Sequence, residues 1–276
     1  MAHQTFNFKI GKTTFFGQYW KAENAKANII LVHGMGEHST RYDGFFANKM
    51  NNAGYSIIAF DHYGHGKTEG KRGDCPSYKA VLDSVDVMFN KCDEFLSKNL
   101  PKILYGHSMG GNVAANYILK KPAKIKLAVL SSPMLKLAFE PPAWKLFAGK
   151  IMRNIYPSFQ ESTGLEAAGI SRDKEAVEKY INDPLVHDKI TINFSLPFFE
   201  AGDWAIDNAK NLTIKTLLIH GTGDRITSYK GSEQFAKNAG DKAQIQLYEG
   251  GYHELHNDIV KEDVLNDVIA WLDKNI

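Results

Sequence analysis

The segment Gly106-His107-Ser108-Met109-Gly110 sets a serine between two glycines, just where the apolar run Lys102–Tyr105 gives way to a helix-like stretch. A sharp strand-to-helix turn strains the backbone at its apex, and side chains at the flanking positions would clash, so glycines stand there. Such a turn lifts a serine hydroxyl above the edge of a sheet and leaves helix N–H groups free beside it. The five-residue pattern alone is common by chance. Its placement between strand and helix, followed by the small residues Gly111, Ala114 and Ala115 that let the helix sit close, makes it specific.

A serine hydroxyl is a weak nucleophile without a base, and the base needs an acid to orient it. Asp224 follows the apolar run Lys215–Ile219 within His220-Gly221-Thr222-Gly223-Asp224-Arg225, and His253 follows Gln244–Leu247 within Glu249-Gly250-Gly251-Tyr252-His253. Singly, Asp224 reads as a turn former and His253 as a surface imidazole, with His256 as a rival three residues on. The order Ser, Asp, His, each in a loop after a strand, makes Ser108, Asp224 and His253 the catalytic candidates. The oxyanion formed on attack needs two N–H donors. Met109 is one; Met35 is the other, in His33-Gly34-Met35-Gly36-Glu37-His38-Ser39, where glycines on both sides let the backbone turn inward. The set His33, His38, His62 and His65 has no Cys or carboxylate at ligand spacing, so neither a metal nor another cofactor is expected.

The elements that must position these residues are short Ile-, Val- and Leu-rich runs: Asn28–Val32, Tyr55–Phe60, Lys102–Tyr105, Lys126–Leu130, Lys215–Ile219 and Gln244–Leu247. Continuous apolar runs of this length are strands buried on both faces, as in a parallel sheet. Helical spacing in Ala80–Leu96, Gly110–Lys120 and Val260–Leu272 alternates with them, which predicts a doubly wound α/β sheet. Thr5–Ile10 and Thr13–Trp20, joined at Gly11-Lys12, read as an antiparallel hairpin at its start. The alternation stops between Pro133 and Asn211, which hold six of the nine prolines, and resumes at Thr213. The expected organisation is therefore a core of residues 1–132 and 212–276 with an inserted helical cap, 133–211.

A formal net charge of +2 excludes the basic excess usual in a nucleic-acid binder. Two cysteines cannot build a disulfide framework and suit a reducing compartment. No apolar run approaches the roughly 18 residues of a membrane helix. With no basic and apolar leader at the start, a cytoplasmic protein is expected.

The residues quoted above, with Arg41-Tyr42, Asp61-His62-Tyr63-Gly64-His65-Gly66, Asp183-Pro184-Leu185-Val186 and Leu255-His256, spread over nearly the whole chain. In them the sequence resembles the monoacylglycerol lipases, within the serine α/β-hydrolases that include lysophospholipases and serine aminopeptidase-type hydrolases. The resemblance implies the α/β-hydrolase fold, the triad Ser108, Asp224, His253 and the donors Met35 and Met109. It also implies that Glu37, Arg41 and His256 face the glycerol side, and that the substrate is a monoacylglycerol or similar single-chain lipid ester. Thr68, where relatives often carry serine, touches none of this. A lysophospholipase or general carboxylesterase is the alternative within enzymes. A catalytically silent hydrolase-fold binding protein calls for a broken triad, and an epoxide hydrolase or dehalogenase for a carboxylate at Ser108; the sequence has neither.

After Pro141-Pro142, the stretch Ala143–Tyr156 sets Trp144, Phe147, Ala148, Ile151, Met152 and Ile155 at helical spacing, with Lys145, Lys150 and Arg153 elsewhere around the helix. The stripe either packs on the body or walls an acyl tunnel. In the second reading Phe147 and Ile151 line the substrate, and the rim makes peripheral contact with a membrane or micelle.

Overall fold

The computed structural model describes residues 2–140 and 142–276, so Pro141 of the expected Pro141-Pro142 pair lies outside them. A hairpin, β1 (Ala2–Ile10) and β2 (Thr13–Lys21), opens the chain. β3 (Ala27–Val32), α1 (Phe45–Asn52), β4 (Tyr55–Phe60), α2 (Tyr78–Phe95), β5 (Lys102–His107), α3 (Met109–Lys120) and β6 (Leu127–Ser131) follow in alternation. The chain then leaves the sheet for α4 (Ala143–Ile155), β7 (Gln160–Ser162), α5 (Lys174–Asn182), β8 (Lys189–Thr191) and α6 (Ile192–Asn208). It returns with β9 (Lys215–Gly221), α7 (Tyr229–Ala239), β10 (Ala243–Tyr248) and α8 (Lys261–Asn275).

The eight-stranded sheet has the order β1-β2-β4-β3-β5-β6-β9-β10. Only the β1–β2 and β2–β4 pairs are antiparallel. This is the doubly wound, mostly parallel sheet that the alternation predicts. Every residue of β3 and β4 is buried. Successive side chains serve opposite faces: Ile29 and Leu31 pack with α1 and α8, Ile30 and Val32 with α2, α3 and α7. Strands covered on both sides need no alternation of polarity, and their sequences show none.

The order of the strands fixes where a site can form. From β3 the chain runs to α1 on one face; from the neighbouring β5 it runs to α3 on the other. The two loops diverge and leave a crevice at the carboxyl edge of the sheet, the usual ligand position in such folds. Val32 is paired with Gly106, His107 with Ser131, Ser131 with Ile219, and Gly221 with Tyr248. This register brings the loops after β3, β5, β6, β9 and β10 to one rim.

The span 133–211 contains two kinds of packing. Phe194, Phe198, Ala205 and Ile206 of α6 share one buried cluster with Val32, Leu104 and Val113. The side-chain amides of Asn112 and Asn116 on α3 donate to the carbonyls of Phe198 and Ala201. α6 is thus part of the body. α4 is a surface helix with Trp144, Phe147, Ile151 and Ile155 exposed. β7 and β8, three residues each, pair into a ribbon too short to leave a period in the sequence.

Two helical glycines test this difference. A Cβ on Gly202 of α6 would overlap the Leu135 carbonyl, whereas one on Gly149 of α4 would rest against the Leu196 side chain in ordinary contact, its nearest atom Cδ1 at 3.5 Å. Gly202→Ala is expected to lower stability by ~1–3 kcal/mol through overpacking. Gly149→Ala is expected to raise it by up to ~1 kcal/mol through helix propensity. Thermal melting of both variants checks the pair of signs.

Candidate active site

Ser108 sits at the apex of the β5–α3 turn with φ 54° and ψ −117°, one of two non-glycine residues with positive φ among those described. Its N–H donates to the Ser131 carbonyl at 2.9 Å, and its carbonyl accepts from Asn112 and Met134. A Cβ on Gly106 would overlap the Gly110 carbonyl, and one on Gly110 the Val32 carbonyl. Glycine at both places is what lets β3, β5 and the first turn of α3 approach so closely.

Asp224, in the loop after β9, is a buried carboxylate with five donors. Oδ1 accepts from the N–H groups of Ile226 (2.8 Å) and Thr227 (3.0 Å); Oδ2 accepts from His253 Nδ1 (2.7 Å), Thr227 Oγ1 (2.8 Å) and His220 Nε2 (3.1 Å). Burial pushes this carboxyl up, but the charge and hydrogen bonds of His253 and His220 outweigh it and hold Asp224 well below the usual carboxylate range. The same contact acts on His253: burial lowers the imidazole, yet the Asp224 charge and hydrogen bond hold it above its ordinary 6.5. With Nδ1 turned to Asp224, Nε2 is the free nitrogen. The Ser132 hydroxyl, on the other residue with positive φ, donates to the His253 carbonyl at 2.8 Å.

Ser108 and His253 lie on the wall of one cavity of about 400 Å³, with Gly34, Met35, Glu37 and His107 beside them. Its remaining wall is mostly apolar and includes Met134, Ala148, Met152, Phe194, Leu196 and Phe198. Met109 opens α3, so its N–H is among the first-turn donors without a helical partner.

The loop carrying Met35 is held from below. Gly34 N–H donates to Glu37 Oε1 at 2.6 Å, and the Tyr42 hydroxyl donates to the same oxygen. Arg41 bonds Glu37 at 2.9 Å and forks onto Glu254. Burial and the neighbouring Glu254 charge push Glu37 up, whereas Glu254, gripped by Arg41, stays low. His33 accepts the His62 N–H at Nε2 and therefore donates from Nδ1 to the Gly34 carbonyl. His33, His62 and His65 pack ring against ring, and burial lowers all three, His33 to about 4. Neutral and enclosed, they support the loop. Among the described residues no group of three His, Cys, Asp or Glu is arranged to hold a metal ion.

Four expected substrate contacts are corrected. His256 is fully buried, stacked on Tyr42 and edge-on to His107, away from the cavity wall. Arg41 is also off the wall, its guanidinium used by two carboxylates and laid over Tyr180. Of the three residues expected on the glycerol side, Glu37 alone reaches the cavity. Phe147 and Ile151, 68% and 47% exposed, point outward from α4; Trp144, Ala148, Gly149 and Met152 line the cavity instead. Phe147-Ile151-Ile155 and Trp144-Ala148-Met152 are neighbouring i, i+4 rows of one helix, both apolar, so their spacing alone cannot say which faces inward.

The family described as serine aminopeptidase, S33 matches residues 23–259, a span that holds every loop of the site. The chain belongs to this family. Among relatives, human monoglyceride lipase is 31% identical over 93% of this chain and 86% of its own. An uncharacterized abhydrolase domain-containing protein of Dictyostelium discoideum is 33% identical over 91% of this chain, which spans only 26% of that protein's length. Among solved structures, the monoacylglycerol lipase of Paleococcus ferrophilus is 32% identical with a TM-score of 0.87, over 95% of this chain and 99% of its own. The α/β-hydrolase fold expected from the sequence is therefore the fold of this family member.

The opposed effects on His253 make a test. In the wild type the His253 imidazole is expected to titrate above 6.5, because Asp224 outweighs burial. In Asp224→Asn the largest opposition to burial is gone and only Glu254 and Glu37 still raise the imidazole, so the titration is expected to fall below the wild-type value. NMR of the ring protons reads both; a wild-type value below the variant's would contradict the geometry.

Proposed function

We propose that this chain hydrolyses the ester of a monoacylglycerol through an acyl-enzyme on Ser108, releasing a fatty acid and glycerol. The observation that carries the reading is Ser108 and His253 together on the wall of an apolar cavity under α4, with Asp224 bonded to His253 from behind. A single acyl chain suits such a wall. The similarity to human monoglyceride lipase and to the P. ferrophilus monoacylglycerol lipase supports the substrate class.

The three residues take complementary parts. Ser108 Oγ attacks the carbonyl while His253 Nε2 takes its proton, and Asp224 holds the tautomer and stabilises the imidazolium. Met35 and Met109 N–H groups receive the oxyanion. His253 then protonates the leaving glycerol oxygen, and a water activated by the same imidazole releases the fatty acid. The exposed row Phe147, Ile151 and Ile155, beside Lys150 and Arg153, suits contact with a lipid surface, where an apolar helix face with basic flanks is favoured. No described helix is long and apolar enough to cross a membrane. Cys75 and Cys92 are free buried thiols, both pushed up to about 12 by burial, which suits the cytoplasmic setting we propose.

Ser108→Ala is expected to abolish turnover and labelling by an active-site phosphonate while leaving the melting temperature intact; retained labelling would end the reading. A second pair separates the two rows of α4. Met152→Asp, on the cavity wall, is expected to reduce kcat/KM for long-chain monoacylglycerol far more than for a soluble acetate ester, since only the long chain needs the wall. Phe147→Asp, on the outer row, is expected to reduce hydrolysis of micellar substrate and spare the soluble ester. The opposite assignment of the two losses would show that α4 is turned the other way.

A further inference from the structure

Asp224 Oδ2 faces a second imidazole that the mechanism above does not use. His220, the penultimate residue of β9, is fully buried, with Nε2 3.1 Å from Asp224 Oδ2 and 3.2 Å from the Thr227 carbonyl. Both neighbours are acceptors only, so Nε2 carries a proton. Nδ1 lies 2.8 Å from the hydroxyl of Ser232, a buried residue of α7, and that hydroxyl donates to it. One hydrogen-bonded line therefore runs from α7 through Ser232, His220 and Asp224 to His253.

We propose that His220 is a positioning residue for the hydrolysis: its Nε2–H holds the Asp224 carboxylate in register with His253 and tempers the basicity that Asp224 lends to it. The physical reason is shared charge. A carboxylate oxygen that accepts from His220 and Thr227 as well as His253 has less charge to offer the imidazolium than one facing His253 alone. The groups reaching His253 are Asp224 from the β9 loop, Glu254 beside it, Glu37 from the loop after β3 and the His107 ring, 4.9 Å away on β5. His220 acts on the first of these. Loss of its N–H leaves a stronger acceptor, so the His253 titration moves up and the acid limb of kcat/KM moves to higher pH. Loss of the restraint also lets Asp224 rotate out of line, which lowers kcat.

The inference rests on the proposed triad, and phosphonate labelling of Ser108 tests that triad separately. The test for His220 uses three variants of the full chain, read by the pH dependence of kcat and kcat/KM on monoacylglycerol. His220→Leu removes the donor and is expected to lower kcat roughly ten- to a hundredfold with little change in KM, and to move the acid limb upward. His220→Gln, whose amide N–H reaches the place of Nε2, is expected to restore most of kcat and the wild-type limb. His220→Asn, whose amide reaches only the place of Nδ1, is expected to behave like His220→Leu and carries the test if the leucine variant does not fold. A wild-type limb and kcat in His220→Asn or His220→Leu overturns the inference. Equal losses in all three variants with an unmoved limb also overturn it, because they mark a structural role alone. Where Ser108 labels normally and the His220 variants keep the wild-type limb, this inference fails and the triad stands.

Discussion

The backbone at Ser108 is the constraint on which the rest of the molecule depends. A non-glycine residue at φ 54° and ψ −117° is strained by ~1–3 kcal/mol and persists only where its surroundings over-determine it. Here they do. Both peptide groups of Ser108 are tied to β6, to α3 and to the chain beyond β6, and Gly106 and Gly110 press on backbone carbonyls no side chain could face. The same close approach sets β3 against β5 at the place where their connections part to opposite faces, and that parting opens the crevice. Strain, packing and site are one arrangement.

Around the serine, the distribution of charge decides what each polar group does. Of the histidines near the rim, His33, His62, His65 and His107 are driven neutral by burial and support the backbone. His253 alone meets an ionised carboxylate through Nδ1, and it alone among these is raised. Arg41 joins Glu37, which holds the Gly34 N–H, to Glu254, next to His253. One guanidinium thus links the loop after β3 to the loop after β10.

The sheet, the elbow and the chain order Ser108, Asp224, His253 were legible in the sequence because local rules govern them. Apolar runs bounded by glycine must be buried, and only glycine fits beside Ser108. The groups that hold Asp224 and His253 were less legible. His220, Thr227 and Ser132 act through contacts across loops, and the one local hint was that His220 stands four residues before Asp224 at the end of a strand. The facing of α4 was hidden for a different reason, since its apolar residues fill two neighbouring rows and periodicity cannot rank them. Arg41 and His256 read as polar groups free for substrate until packing showed that carboxylates and aromatic rings already occupy them.

The most direct test of this account is to trap the acyl-enzyme. Acid-quenching the enzyme within a single turnover of a long-chain monoacylglycerol, followed by peptide mass spectrometry, should find the fatty acyl group as an ester on the peptide that contains Ser108, and on no other. Turnover with the acyl group on a different residue, or steady hydrolysis with no acyl-enzyme formed at any quench time, would contradict it.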